Sequence, residues 1–124
     1  MSRKITVFED DVNFASMLRA VLEVRGHAVT VFGDTTQMRP HLRDHCPDII
    51  ILDIQMPGTG GGPGVLKHIR SDLGLRDLPV VVVSAMPLQA QRRWFGADPR
   101  VRLLQKPIEI QDLHRAIDEL LSAG

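Results

Sequence analysis

The sequence contains 124 residues, a length that fits one globular domain, so we predict a single domain spanning residues 1–124. Fifteen basic residues balance 15 acidic residues, and this balance excludes a net charge that would draw the chain to nucleic acid or an anionic membrane. We predict a cytoplasmic protein without direct nucleic-acid or membrane contact. Besides the charge balance, this prediction rests on the lone cysteine, Cys46, on the absence of an export signal and on the shortness of the apolar runs.

Five apolar stretches of strand length alternate with segments of helical length. Stretches that consist almost entirely of Val and Ile are typical of strands covered on both faces. This alternation predicts an α/β fold, a five-stranded parallel sheet with helices on both faces, doubly wound. The predicted strands are Ile5–Phe8, His27–Phe32, Ile49–Leu52, Val80–Val83 and Val101–Leu104.

The sequence defines three of the helices with different clarity. The first has an apolar stripe and should end at Gly26 in a left-handed cap. The last has an equally clear stripe between Ile110 and Leu121. In the second segment, Thr35–His45, Pro40 predicts a helix that starts late or bends.

The other two helices border segments of unusual sequence. The third helix follows the run "TGGGPG", and we expect Pro63 to be its first helical residue. No Gly-Lys-Ser or Gly-Lys-Thr follows that run, so we interpret it as a flexible connection rather than a phosphate-binding loop. The fourth helix, around Leu88–Phe95, should be short.

Polar side chains cluster where the predicted strands end. Glu9 and Asp10 follow the first strand, Asp53 the third, Ser84 the fourth and Lys106 the fifth. Ligands of parallel α/β sheets bind at the carboxyl ends of the strands, so these residues should lie together. Clustered carboxylates repel one another unless a cation lies among them, and such hard oxygen ligands suit Mg2+. The sequence therefore predicts a magnesium site.

Simpler interpretations exist for each residue alone. An aspartate after a buried strand often caps the next turn, and Ser84 could be an ordinary loop hydroxyl. The acids after the first strand could begin a helix, which is our interpretation of Asp11. The joint arrangement at several strand ends favours a functional site. The five histidines have no metal-ligand spacing, and we interpret them as surface or packing residues: His27, His41, His45, His68 and His114.

Four short motifs in this order resemble the receiver domains of two-component response regulators. They are "VFED", "ILDIQMPG", "VVVSA" and "LLQKP", and the resemblance extends from Lys4 to Leu121. It implies a flavodoxin-like fold that accepts a phosphoryl group from a histidine kinase or a phosphotransfer protein. It also implies a signalling module that is not an enzyme, beyond catalysing its own phosphorylation and dephosphorylation.

The resemblance assigns a role to each residue of the metal site. Asp53 corresponds to the phosphoacceptor and also binds the metal, and Asp10 corresponds to the direct carboxylate ligand of Mg2+. Glu9 should act through a coordinated water, and Gln55 should contribute its backbone carbonyl. Phosphoryl transfer needs this kind of alignment and charge neutralisation more than covalent chemistry.

The resemblance also assigns the switch. Ser84 corresponds to the switch hydroxyl and Lys106 to the cation that pairs with the site. The family often has an aromatic residue three positions before that lysine, where this chain has Leu103. A second copy of the chain or an effector should bind the face that contains Trp94, Leu103 and the last helix.

Two other functions remain as alternatives. A protein-binding module of the same fold could act without phosphorylation, since the long glycine-rich loop and the missing aromatic depart from the family pattern. A nucleotide hydrolase is suggested by "IIILD" but is disfavoured, because "EDD" stands where a glycine-rich phosphate loop would be.

Overall fold

The computed structural model describes residues 2–56, 61–72 and 74–122. Its five strands form one parallel sheet in the order β2-β1-β3-β4-β5, which confirms the predicted fold class. The strands are β1 (Lys4–Phe8), β2 (Ala28–Phe32), β3 (Ile49–Asp53), β4 (Val80–Ser84) and β5 (Val101–Gln105). The helices are α1 (Val12–Val24), α2 (Met38–Asp44), α3 (Gly61–Ser71), α4 (Leu88–Phe95) and α5 (Ile110–Ser122).

The sheet separates two hydrophobic cores. Successive side chains of a strand point to opposite faces, so Ile50 and Leu52 pack with α2, α3 and α4, while Ile49 and Ile51 pack with α1 and α5. All five residues of β3 are buried. Double coverage explains why this strand has no polar residue before Asp53. No helix in residues 2–56, 61–72 and 74–122 combines the length and apolar character needed to cross a membrane.

Most predicted helix boundaries agree with the structure. The chain leaves α1 through Gly26, whose φ of +86° lies in the left-handed region that favours glycine. Helix α2 starts late, at Met38, and this places Pro40 in its first turn. Proline is tolerated there because the first N–H groups of a helix have no intrahelical acceptor. Helix α4 has the predicted bounds.

The predicted start of one helix, α3, was wrong. Helix α3 begins at Gly61, so Pro63 is its third residue and not its first. The first turn still accepts proline for the reason given for α2, and the backbone N–H of Gly62 donates to the carbonyl of Ile54 at 3.2 Å. The run "TGGGPG" was predicted to be a flexible connection, but its last four residues, 61–64, form the first turn of α3, so that part of the prediction was wrong. Residues 59 and 60 of the run lie outside the described residues.

His41 packs against the sheet through a polar contact. Its Nε2 atom and the hydroxyl of the buried Thr6 are hydrogen-bonded at 2.7 Å, and its ring lies edge-on to Phe32. Burial lowers the pKa of His41 below its ordinary value of 6.5, and the nearby His45 lowers it further. This agrees with a packing role for His41.

We expect His41→Gln to reduce the loss of thermal stability on acidification. The unfolded chain binds more protons than the folded protein at pH values between the lowered pKa of folded His41 and 6.5. The contribution of His41 to the free energy of unfolding is therefore fully present above that window and is lost as pH decreases through it. Melting curves between roughly pH 7.5 and pH 5 test this. His68→Gln, on α3, serves as the control, and equal slopes for His41→Gln and the parent would contradict the assignment.

Candidate functional site

The site lies at the carboxyl ends of four strands. In the parallel register Phe8 is opposite Leu52, so Glu9 and Asp53 follow at neighbouring strand ends. Asp53 is opposite Val83, and Ser84 is opposite Gln105. Strands β3, β4 and β5 each extend one residue beyond the predicted end, so the sheet itself holds Asp53 and Ser84.

Lys106 joins two carboxylates of the site. Its Nζ donates to Glu9 Oε1 at 2.8 Å and to Asp53 Oδ2 at 3.2 Å. It also lies 4.4 Å from the centre of the Phe14 ring, a distance typical of a cation–π contact. The side chain of Glu9 is 0% exposed and that of Asp53 is 7% exposed. The ammonium group is therefore fixed against buried negative charge.

Burial and charge act in opposition on the two partners. Burial raises the pKa of Glu9, and the proximity of Asp53 raises it further, although the hydrogen bond from Lys106 acts in the other direction. Burial alone would lower the pKa of Lys106, but the hydrogen bond to Glu9 and the charge of Asp53 outweigh it and raise that pKa. Lys106 consequently stays cationic. Its ammonium does not fully offset the effect of burial on Glu9, whose pKa stays above its ordinary value.

Three carboxylates are arranged as a cation site. Glu9, Asp10 and Asp53 each offer an oxygen, and these oxygens lie within 4.8 Å of one another. Asp10 is exposed, whereas the other two are buried. Lys106 contacts two of these carboxylates, and the third adds further negative charge, so charge and donor type both fit a hard divalent cation such as Mg2+.

The remaining predicted residues surround this cluster. Asp53 Oδ1 accepts a hydrogen bond from the backbone N–H of Gln55 at 3.0 Å; the role of the Gln55 carbonyl stays a prediction. Ser84 is fully buried, and its Oγ accepts from Met86 N at 3.1 Å. Its carbonyl accepts from Lys106 N at 2.8 Å. The hydroxyl and the lysine are thus linked through backbone.

Asp11 lies beside the cluster and belongs to the helix. Its Oδ1 accepts from Phe14 N at 3.1 Å, and it is the N-cap residue of α1. This confirms the interpretation of Asp11 as a helix start. A capping aspartate satisfies one of the N–H groups that the first turn leaves without a partner.

Sequence reasoning missed Phe14 and Gly62. Phe14 belongs to the apolar stripe of α1, and nothing in that pattern indicates its contact with Lys106. Gly62 lies so close to the end of β3 that a Cβ atom would be 2.6 Å from the carbonyl oxygen of Asp53 and 2.7 Å from Ile54 Cα. The run of glycines was the only sequence signal of this close approach.

We expect Gly62→Ala to lower the free energy of unfolding by about 1–3 kcal/mol, because the added methyl group must displace backbone next to Asp53. Chemical denaturation measures the change. Gly33→Ala is the matched control, since a Cβ atom at Gly33 meets nothing within 4 Å. Equal stability of the two variants would contradict the close packing of α3 on β3.

Comparison with known proteins identifies the family. The family described as response regulator receiver domain matches residues 5–118, so the chain belongs to that family. The DNA-binding response regulator MtrA of Mycolicibacterium paratuberculosis is 36% identical over 85 residues, which are 68% of this chain and 36% of that protein. The chain thus spans about a third of the length of this curated relative.

Solved structures give the same fold. One is the receiver domain of sensor histidine kinase PA1611 from Pseudomonas aeruginosa, which is described with a magnesium ion in its active site cleft. It has a TM-score of 0.86 at 24% identity, and the alignment covers 98% of this chain and 99% of that one. A sensor protein from Polaromonas sp. JS666 has a TM-score of 0.77 at 29% identity, with 94% of this chain and 97% of that one covered.

The comparisons bear on the predicted partners. MtrA is named as a DNA-binding protein, which stands against the prediction that no nucleic acid is bound. The match takes in only 36% of MtrA, so it does not assign DNA binding to this chain. The absence of direct nucleic-acid contact therefore stays a prediction.

Proposed function

We propose that residues 1–124 form one receiver domain that takes a phosphoryl group from a histidine kinase or phosphotransfer protein onto Asp53. The observation that carries the proposal is the environment of Asp53. Its buried carboxylate lies 3.2 Å from the Lys106 ammonium and clusters with Glu9 and Asp10. Four groups of matching chemistry meet there although they come from three distant parts of the sequence.

The chain's own residues supply alignment and charge. An oxygen of Asp53 attacks the phosphorus, and the bond from phosphorus to the donor breaks. The N–H of Gln55 holds one carboxylate oxygen, and Lys106 lies where it can neutralise a phosphoryl oxygen. The hydroxyl of Ser84 can donate to another oxygen of the phosphoryl group.

The carboxylates would also hold the metal. Glu9, Asp10 and Asp53, with the carbonyl of Gln55, are the residues that would hold Mg2+, Glu9 through a water. When bound, Mg2+ neutralises charge that develops on the phosphoryl oxygens. The magnesium reported in the PA1611 receiver domain supports this choice of ion.

The output surface is proposed on the side of α4. Trp94 is 60% exposed on that helix, and Leu103 of β5 is partly buried against the core. Movement of Ser84 would reach this side first, because the loop that starts α4 follows it directly. A second copy or an effector is the proposed partner of the face formed by Trp94, Leu103 and α5.

Incubation with acetyl phosphate and Mg2+ tests the proposal. We expect intact-mass spectra to show one phosphoryl adduct on the parent and on the control Asp77→Ala, which changes an exposed aspartate before β4. Asp53→Ala should show none. The same adduct in Asp53→Ala, or no adduct on the parent, would reject the proposal and favour the phosphorylation-independent binding module.

A further inference from the structure

Gln91 is a polar residue in an unusual place. It lies in α4 with 0% of its surface exposed. Its Nε2 donates to the carbonyl of Met86 at 2.8 Å and to the carbonyl of Leu104 at 3.2 Å. A single amide therefore joins helix α4, the loop that precedes it and strand β5.

The Met86 peptide connects this amide to Ser84. The N–H of Met86 donates to Ser84 Oγ at 3.1 Å, while its carbonyl accepts from Gln91. Rotation of the Ser84 hydroxyl away from Met86 would break the bond from the Met86 N–H. The Met86 peptide, whose carbonyl accepts from Gln91, would then be free to move. The hydrogen bonds thus run from Ser84 through Met86 and Gln91 to Leu104.

The unpaired oxygen of Gln91 argues against a purely structural amide. Within the described residues, its buried Oε1 has no hydrogen-bond partner. A buried acceptor without a partner is unfavourable, so this oxygen does not help to hold the three elements together. The free acceptor also gives the amide room to exchange partners when the Met86 peptide turns. Both properties fit a group that serves two arrangements of the loop.

We propose that Gln91 is a positioning residue that transmits displacement of Ser84 to β5. Leu104, which accepts from Gln91, is next to Leu103, a side chain that has no polar group with which to sense the Ser84 hydroxyl. The movement of Ser84 on phosphorylation rests on the proposed function. The mechanical link from Ser84 to β5 does not, because every bond in it is present without phosphate.

A double-mutant cycle without phosphate tests the link. Ser84→Ala removes the acceptor of the Met86 N–H, and Gln91→Met removes the donor to Met86 and Leu104 at nearly constant volume. Gln89→Met, on the exposed face of the same helix, is the matched control. Amide hydrogen exchange of residues 101–105 is the readout, with melting curves to establish that each variant is folded.

We expect Ser84→Ala to change exchange in β5 by about threefold or more in the parent and in Gln89→Met, the size of coupling common between contacting residues. In the Gln91→Met background the same substitution should leave β5 unchanged. A merely structural amide would raise exchange in Gln91→Met but preserve the effect of Ser84→Ala, and that result would overturn the proposal. Gln91→Asn, too short to reach both carbonyls, replaces Gln91→Met if that variant does not fold.

The same proteins separate this inference from the proposed function. If Ser84→Ala changes exchange in β5 only when Gln91 is present, and acetyl phosphate gives no adduct on the parent, phosphorylation of Asp53 is rejected and the link is retained. An adduct on Asp53, with Ser84→Ala changing exchange equally in the parent and in the Gln91→Met background, would retain phosphorylation and reject the link. Each readout therefore decides one of the two claims.

Discussion

Asp10→Asn is expected to weaken Mg2+ binding by at least about 10-fold, because the loss of a partner that only supports a metal ligand already costs that much and Asp10 is the proposed direct ligand. Asp10 is the exposed member of the three-carboxylate cluster, so its carboxylate is accessible to an ion that enters from solvent. Titration followed by amide chemical shifts measures the affinity. Asp11→Asn is a close control, because it removes the same charge one residue away and asparagine also caps a helix well.

Equal affinities of Asp10→Asn and the parent would contradict the assigned site. A matching loss in Asp11→Asn would show that general charge, rather than the position of Asp10, governs binding. A second effect of Asp10→Asn concerns thermal stability in buffer without divalent ions. Asp10→Asn should then melt above the parent, because one of three crowded like charges is gone.

Lys106→Met is expected to lower the free energy of unfolding in metal-free buffer by about 3 kcal/mol, the lower end of the range for breaking a buried ion pair. The methionine keeps an apolar stem against Phe14 and removes the charge that faces Glu9 and Asp53. Chemical denaturation measures the loss. Lys67→Met, exposed on α3, is the control and should change stability little.

Mg2+ should stabilise Lys106→Met more than it stabilises the parent, because a divalent cation then replaces the positive charge that Lys106 supplied to Glu9 and Asp53. The variant should still accept a phosphoryl group on Asp53, but with a smaller change in amide exchange over α4 and β5. Unfolding free energies of the parent and Lys106→Met that agree in metal-free buffer would show that Lys106 does not compensate the buried acids.

The site residues could be predicted because each stands within two residues of the end of an apolar run. Parallel strands place their carboxyl ends at one edge of the sheet, so the order of the chain alone brings Glu9, Asp53, Ser84 and Lys106 together. The same runs define both cores, since a strand without polar residues must be covered on two faces. The fold class therefore follows from local pattern.

Other features depend on how helices cross the sheet, which the local pattern does not contain. Gly62 is required by the approach of α3 to the end of β3, and Phe14 contacts Lys106 because α1 passes over the site. Gln91 reads as a surface residue in a short polar helix, yet it is fully buried. The start of α3 was misplaced because Pro63 is tolerated at several positions of a first turn.

The central claim is that Asp53 itself becomes an acyl phosphate, and borohydride trapping tests it most directly. After incubation with acetyl phosphate and Mg2+, hydride reduces an aspartyl phosphate to homoserine and releases phosphate. Peptide mass spectrometry should then find homoserine in place of Asp53, dependent on both the phosphodonor and Mg2+. Homoserine at another aspartate, or an unmodified Asp53 in a protein that carries the phosphoryl adduct, would contradict the account.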